Sequence, residues 1–235
     1  TGQFVLTPTT ANLKQTFLTN ILQGTTGAYD ERAFQSITAA LDSPLNAGFV
    51  RPEAFLAVVI VSDEDDFSHD AIDYRGGQYK YAGLHTTDHY VDYLKNLKQA
   101  ALVGTNHFSV SAITIPDQAC YDQIFDAGGE GQRIGHRYME LVNKTNGVIG
   151  SLCDHFAETL ERIARRILEL ATQFRLGRLP QVDTIRVTID GKRIPTNAIH
   201  GWTYLASANA IQFHGNYIPA SGSRIIVDYT PADIK

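Results

Sequence analysis

The sequence predicts an α/β fold with a largely parallel sheet and helices on both faces, followed by a small antiparallel β module. Helical apolar stripes alternate with short apolar runs up to residue 172, an order typical of α/β winding. One run, residues 55–61, is apolar without alternation and rich in β-branched side chains, which favours a strand buried on both faces. After Arg175 the helical periodicity stops. We therefore expect units at 1–176 and 177–235.

The first unit is divided by its periodicity into helices and strands. In the first helix, Leu13, Phe17 and Ile21 recur at helical spacing. The strand at 55–61 is expected to be central. Residues 116–131 have no clear period, so we expect them to be irregular. The predicted helices are 12–22, 29–41, 88–102, 135–146 and 154–172, and the predicted strands are 3–7, 55–61, 107–115 and 147–152.

The second unit contains short alternating runs separated by turn residues. The predicted strands are 184–189, 203–204, 210–213 and 224–229. Asp190-Gly191 stands between two alternating segments, which is a hairpin signal. About 55 residues make a marginal free domain. We therefore expect this module to dock on the stripe of Ile163, Ile167 and Leu168 in the last helix.

Composition excludes several classes of protein. The chain has 235 residues, 43% of them hydrophobic and 19% charged, which is typical of a globular protein. A net charge of −5 gives no electrostatic footprint for nucleic acid. No apolar run reaches the length of a membrane span, and the first residues lack the pattern of a signal peptide. Because the chain does not start with Met, we expect more chain before Thr1 in the natural protein.

Two cysteines, Cys120 and Cys153, are the only ones in the chain. Two buried thiols are one interpretation. However, each lies at the edge of a predicted element and outside any apolar stripe, and an even count in a cysteine-poor chain favours one bridge. We predict a disulfide, which indicates an extracytoplasmic compartment.

A cluster of hard oxygen ligands follows the central strand. Asp63, Asp65 and Asp66 come with Glu64 and Ser68 directly after residue 61. Ligands of open α/β sheets bind at the carboxyl ends of strands, and oxygen ligands suit Mg²⁺, Ca²⁺ or Mn²⁺. The alternative is a solvated acidic loop.

With the run Leu-Ala-Val-Val-Ile-Val-Ser-Asp-Glu-Asp-Asp at 56–66, Gly-Thr-Thr-Gly at 24–27 and Phe-Ser-Val-Ser-Ala at 108–112, the chain resembles a von Willebrand factor A (vWA) domain of divergent bacterial surface type. The resemblance implies a Rossmann-like sheet and a metal-ion-dependent adhesion site. In such a site an Mg²⁺ takes an acidic group from a partner. It implies Asp63 as a ligand beside Asp65, and Thr25 or Thr26 as a second.

The chain departs from the family pattern at the first ligand loop. No Asp-x-Ser-x-Ser occurs, and the nearest string, Asp66-Phe-Ser68-His-Asp70, follows the wrong strand. We expect an upstream segment of the same protein to supply this loop and its strand. The alternative is a vestigial site in a structural envelope protein.

Histidines and tyrosines near the acid cluster add two hypotheses. His85 and His89 are four residues apart and could serve a metal-dependent hydrolase together with Asp63 and Asp65. The interpretation that we favour is that Thr86 or Thr87 caps a helix and that the histidines are polar surface residues. For a binding protein, four residues are candidate contacts to the ligand: Asp66, Ser68, Tyr74 and Tyr79. Our preferred prediction is a non-enzymatic, extracytoplasmic adhesion or binding protein that engages a partner offering an acidic group.

Overall fold

A computed structural model describes residues 5–22, 24, 30–51, 54–71, 77–99, 107–129, 131–220 and 222–232. The predicted site residues Thr25, Thr26 and Tyr74 lie outside these residues, as do residues 3 and 4 of the predicted strand at 3–7, and residues 5–7 do not form a strand. The fold is mixed α/β: a three-stranded parallel sheet with helices is followed by two antiparallel sheets. Within the described ranges, no helix combines the length and apolarity needed to cross a membrane.

The first part of the chain holds six α-helices and three strands among its described residues. The helices are α1 (Leu13–Ile21), α2 (Ala33–Asp42), α3 (Thr87–Gln99), α4 (Gln118–Asp126), α5 (His136–Lys144) and α6 (Phe156–Ala171). The strands are β1 (Leu56–Val61), β2 (Phe108–Thr114) and β3 (Ile149–Ser151). The periodicity predicted all of these except α4.

Helix α4 corrects the prediction of an irregular segment at 116–131. Asp117 caps it by accepting the N–H of Cys120 at 2.9 Å. Cys120 is its one fully buried residue, whereas Phe125 is 60% exposed. With almost no inward stripe, α4 gives no apolar period in the sequence. The Cys120–Cys153 disulfide, as predicted, joins it to the turn before α6.

Among the described residues the parallel sheet has the order β1-β2-β3. This order places β2 in the centre, so the prediction that β1 is the central strand is wrong. Leu56 pairs with Phe108, and Ala112 pairs with Ile149. All seven residues of β2 are buried. In β1, Leu56 and Ile60 are buried, but Val59 and Val61 are 41% and 55% exposed.

Helices cover both faces of the sheet. On one face, α2, α3 and α5 enclose a core that contains Phe34, Leu94 and Leu141 together with Leu56 and Ile60 of β1. Helix α6 lies on the other face, against β2 and β3. There Gly150 permits the close approach of α6, because a Cβ at this position would collide with Thr159. The outward side chains of β1, Val59 and Val61, lie on this second face, beyond the cover of α6.

The β module consists of β4 (Gln173–Arg175), β5 (Arg186–Ile189), β6 (Lys192–Ile194), β7 (Gly201–Leu205), β8 (Ala210–His214) and β9 (Ile225–Asp228). Its two antiparallel sheets have the orders β4-β8-β7 and β6-β5-β9. They share one core, which includes Val187, Trp202 and Phe213. The Asp190-Gly191 hairpin is confirmed, with φ of 50° and 80° as a type I′ turn requires.

The module begins directly at the end of α6 and does not cover its apolar stripe. Strand β4 starts at Gln173, and the carbonyl of Thr172 accepts the N–H of Phe213 at 3.1 Å. Leu168 is 60% exposed, whereas Ile163 is buried under the parallel sheet. The docking prediction is therefore wrong for Leu168, because α6 directs its buried side chains to β2 and β3.

Candidate functional site

The acid loop, residues 62–69, lies at the carboxyl edge of the sheet as the sequence predicted. The loop is sharply divided in exposure. Asp63 is exposed and Glu64 is partly buried, whereas all residues from Asp65 to His69 are buried. Burial of adjacent carboxylates is unfavourable unless each is paired and hydrogen-bonded. The partners of Asp65 and Asp66 therefore define what the loop does.

Asp65 binds the amino end of α5. Its two oxygens accept the N–H of Arg137, the second residue of α5, at 3.1 and 3.2 Å. They also accept the N–H of Asp66 and the hydroxyl of Tyr79, both at 2.9 Å. A carboxylate here satisfies helix N–H groups that have no partner within the helix, and it complements the helix dipole. Asp65 is thus a helix cap supplied from 72 residues away.

Asp66 caps the amino end of α2 in the same way. Its Oδ2 accepts the N–H of Phe34 at 2.9 Å and the Ser68 hydroxyl at 2.8 Å, and its Oδ1 accepts the N–H of Ser68 at 3.0 Å. The Arg137 guanidinium donates to the same Oδ1 at 3.3 Å. Ser68 Oγ in turn accepts the N–H of Gln35 at 3.1 Å. The loop therefore ties the amino ends of α2 and α5 to the end of β1.

A second buried ion pair lies beside this loop. His69 Nε2 is 3.1 Å from Asp30 Oδ2, and Arg32 Nη2 is 2.6 Å from the same oxygen. Burial opposes ionisation of Asp30, but the hydrogen bonds and charges of Arg32 and His69 hold its pKa below the ordinary value. This pair fixes the loop that leads into α2.

The buried acids do not fit the predicted metal site. The oxygens of Asp65 and Asp66 already accept the N–H and O–H groups described above, and a divalent ion would have to displace them. Among the described residues, no group of three or more His, Cys, Asp or Glu side chains is arranged to hold a metal ion. Magnesium binding by Asp63 with Thr25 or Thr26 stays a prediction, since both threonines lie outside the described residues.

Three acids remain at the mouth of this edge: Glu31, Asp63 and Glu64. Partial burial raises the pKa of Glu31, and the nearby charge of Asp63 adds to this effect. The pKa of Glu64 is raised by burial and by the charges of Glu31 and Asp63. Burial also raises the pKa of Asp65, although its hydrogen bonds oppose that shift. The exposed rim of the site is therefore a mutually repelling acidic surface.

Three residues of the hydrolase hypothesis, His85, His89 and Asp65, are engaged in other contacts, whereas Asp63 is exposed. The rings of His85 and His89 are 5.0 Å apart. His85 Nδ1 is 2.7 Å from the Tyr90 hydroxyl, and its Nε2 is 3.2 Å from Asp70. Both oxygens of Asp65 accept the N–H of Arg137 at the start of α5. The His85–Asp70 contact lies at the surface, and the hydrolase hypothesis stays a prediction.

Of the four residues predicted to contact a ligand, two are buried and one is exposed, and Tyr74 lies outside the described residues. Asp66 and Ser68 are fully buried, so they cannot touch a partner and act as caps instead. Tyr79 is 46% exposed, and its ring lies 5.1 Å from that of Phe67. Among the described residues that were predicted to contact a ligand, Tyr79 is the one that lies at the surface.

The feature that the sequence did not reveal is the open edge of β1. The N–H of Leu56 and the N–H of Ser62 donate to carbonyls on the β2 side, at 2.8 and 3.1 Å. Since backbone direction alternates along a strand, the N–H and C=O groups of Ala57, Val59 and Val61 point away from β2. No other strand pairs with β1 among the described residues.

A groove of about 720 Å³ runs along this edge. Its floor is β1, and its wall is the apolar side of α2 with Ala33, Ile37 and Leu41. Glu31 and Ser62 line its end at the acid loop. The unbroken apolar run at 56–61 was the available signal, but the sequence does not tell which edge of a strand is paired.

Comparison of the chain with known proteins found no matching family model, no matching curated protein and no matching solved structure.

Proposed function

We propose that this chain is a non-enzymatic, extracytoplasmic binding protein of the adhesion type that takes up an extended apolar polypeptide strand along the open edge of β1. The observation that carries this proposal is the combination of the unpaired β1 backbone and the groove beside it. Addition of a strand to a sheet edge is an established mode of peptide recognition.

The exposure of β1 supports this occupant. Parallel sheets are normally covered on both faces, and an apolar edge strand left open promotes association. Val59 and Val61 are 41% and 55% exposed, although their neighbours in β2 are buried. An incoming strand would satisfy the outward backbone groups of Ala57, Val59 and Val61 and would pack its side chains on α2.

The acid loop supports a parallel direction for the incoming strand. Parallel pairing brings the carboxyl end of the new strand to the carboxyl end of β1, beside Asp63 and Ser62. A partner segment of the form apolar strand, then Asp-x-Ser-x-Ser, would bring its polar loop to this end. The vWA resemblance implies such a segment, and this sequence contains no Asp-x-Ser-x-Ser. The segment would come from the same polypeptide or from another protein.

The disulfide supports the extracytoplasmic assignment, because such bonds persist in oxidising compartments. A binding role is preferred over hydrolysis because the buried carboxylates serve as helix caps. A hydrolase needs a nucleophile or base with free lone pairs beside an open cleft.

The test uses a labelled ten-residue peptide that has five Val or Ile residues followed by Asp-Gly-Ser-Gly-Ser. We expect saturable binding to the full chain in fluorescence anisotropy. A second peptide with N-methyl groups on alternate apolar residues has the same side chains but cannot complete the ladder, so its binding should be lost. Equal binding of both peptides would refute strand addition.

Protein variants provide the matched control. Val59→Pro removes an N–H that points away from β2 and leaves the β1–β2 ladder intact. Val59→Ala removes a similar side chain but keeps the N–H. Peptide binding should fall at least tenfold in Val59→Pro and only a few-fold in Val59→Ala, because a ladder hydrogen bond and its strand geometry are lost only in the first.

A further inference from the structure

A second concave surface lies on the other side of the acid loop and shares no lining residue with the β1 groove. This cleft has a volume of about 600 Å³. One wall is the outer side of α4, and the floor is the segment 132–134 that leads into α5. It lies beyond the carboxyl end of β2, where open α/β sheets bind ligands.

The wall of the cleft is an aromatic platform. Tyr121 and Phe125 are four residues apart on α4, and their rings are parallel within 6° at a centroid distance of 6.5 Å. Phe125 is 60% exposed. Tyr79 and His136 line the opposite side, with ring centroids 6.2 Å apart. Aromatic walls of this kind suit the flat apolar face of a ligand ring.

The floor of the cleft offers buried hydrogen-bond donors without acceptors. Gln132 is only 5% exposed, yet its Nε2 has no partner among the described residues. Arg133 Nε is buried and likewise lacks an acceptor there. Its guanidinium lies 5.1 Å from the centre of the Phe67 ring, which holds the charge in place. A buried donor without an acceptor is unfavourable, so a ligand oxygen at this position would be bound strongly.

From these features we infer that the cleft binds an acidic saccharide, in which a pyranose ring packs on Tyr121 and Phe125 and a carboxylate accepts hydrogen bonds from Gln132 and Arg133. The aromatic platform fits the C–H face of a sugar ring. The two adjacent donors, one of them charged, fit the carboxylate of a uronic acid. The inference is independent of the β1 groove and goes beyond strand binding.

The experiment titrates the full chain with trigalacturonic acid by calorimetry and by NMR chemical shifts. We expect one site, shifts confined to residues of the cleft, and an affinity that falls as salt is added. Maltotriose, a neutral trisaccharide, should bind at least tenfold more weakly. Equal binding of the neutral sugar, or no binding of the acidic sugar at millimolar concentration, would overturn the inference.

Two variants and one control locate the site. Phe125→Ala removes an exposed ring without disturbing the core, and Gln132→Glu replaces the amide donor by a carboxylate of the same shape. Each should weaken binding of trigalacturonic acid roughly tenfold or more, given the energies of aromatic and charge-assisted contacts. Phe156→Ala changes a ring of similar exposure, 49%, that does not line the cleft, and it should leave binding unchanged.

Comparable losses in Phe125→Ala and Phe156→Ala would refute the assignment. A peptide with a C-terminal Phe that displaced the sugar and bound more tightly would also refute it.

Discussion

The α/β part of the chain and the β module bury their apolar residues differently. In the module, two three-stranded sheets close on a shared core around Trp202 and Phe213. In the α/β part, β2 is buried along its whole length, whereas β1 exposes Val59 and Val61, and no described strand pairs with its outer edge. The module therefore completes its own core, while the α/β part presents a surface suited to another strand.

The two parts also differ in how they are held together. The module depends on apolar packing and tight turns. The α/β part depends in addition on buried carboxylates that cap α2 and α5 and on one disulfide. The chain has a single tryptophan, Trp202, so its fluorescence follows the module, while tyrosine near-UV circular dichroism follows chiefly the α/β part.

Asp66→Ala should lower the stability of the α/β part more than any other substitution considered below. The substitution leaves the N–H of Phe34 and the charge of Arg137 without their buried partner, which should lower the free energy of unfolding by about 3–5 kcal/mol. Urea denaturation followed by tyrosine circular dichroism measures the loss. Asp63→Ala, at an exposed position, should change stability by less than about 0.5 kcal/mol. Equal effects of both substitutions would contradict the capping role.

Loss of the disulfide is expected to have nearly as large an effect. The double substitution Cys120→Ser/Cys153→Ser opens the loop that the bridge closes between two residues 33 apart in sequence. This should lower the free energy of unfolding of the α/β part by about 3–4 kcal/mol. The Trp202 signal should change less, since the bridge lies outside the module. Reductant should shift the unfolding of the natural chain and leave the double variant unaffected. If the Trp202 transition shifts as much as the tyrosine transition, the two parts unfold as one unit.

A smaller, pH-dependent effect is expected from the acidic rim. The pKa of Glu64 is raised above its ordinary value of 4.5 in the folded protein. The folded state therefore holds this proton more tightly, and the resulting stabilisation is complete below 4.5 and is lost as the pH rises through the folded pKa. The natural chain should gain stability relative to Glu64→Gln when the pH falls from 7 to 5.

The control for the pH series is Glu161→Gln, on the exposed surface of α6. Its stability should follow that of the natural chain across the same pH range in thermal unfolding. If Glu64→Gln and the natural chain keep a constant difference in stability from pH 7 to 5, the shifted pKa of Glu64 is wrong.

The smallest expected effect belongs to the module. Gly191 has a φ of 80°, and a Cβ there meets no atom within 4 Å, so Gly191→Ala adds backbone strain without a steric clash. We expect a loss of about 1 kcal/mol in the transition followed by Trp202 fluorescence. Gly177→Ala is the matched control, because that glycine is equally open but lacks a positive φ. An equal loss in both variants would show that φ does not decide the cost.

Local patterns predicted much of the fold. The stripes of α2, α5 and α6 and the apolar run of β1 follow from periodicity, because a helix or strand buries the side chains that recur on one face. The Asp190-Gly191 hairpin follows from the positive φ that its turn requires. The disulfide followed from two isolated cysteines in a cysteine-poor chain.

The helices and strands with a strong period, one hairpin and the pairing of two thiols could therefore be predicted from the sequence, since each depends on neighbouring residues or on a single choice. The roles of Asp65 and Asp66 depend on the fold, because their partners Arg137 and Phe34 lie 72 and 32 residues away. The fold also places β1 at an edge of the described sheet. An apolar strand looks the same in sequence whether one or both of its edges are paired, because hydrogen bonding between strands involves the backbone alone.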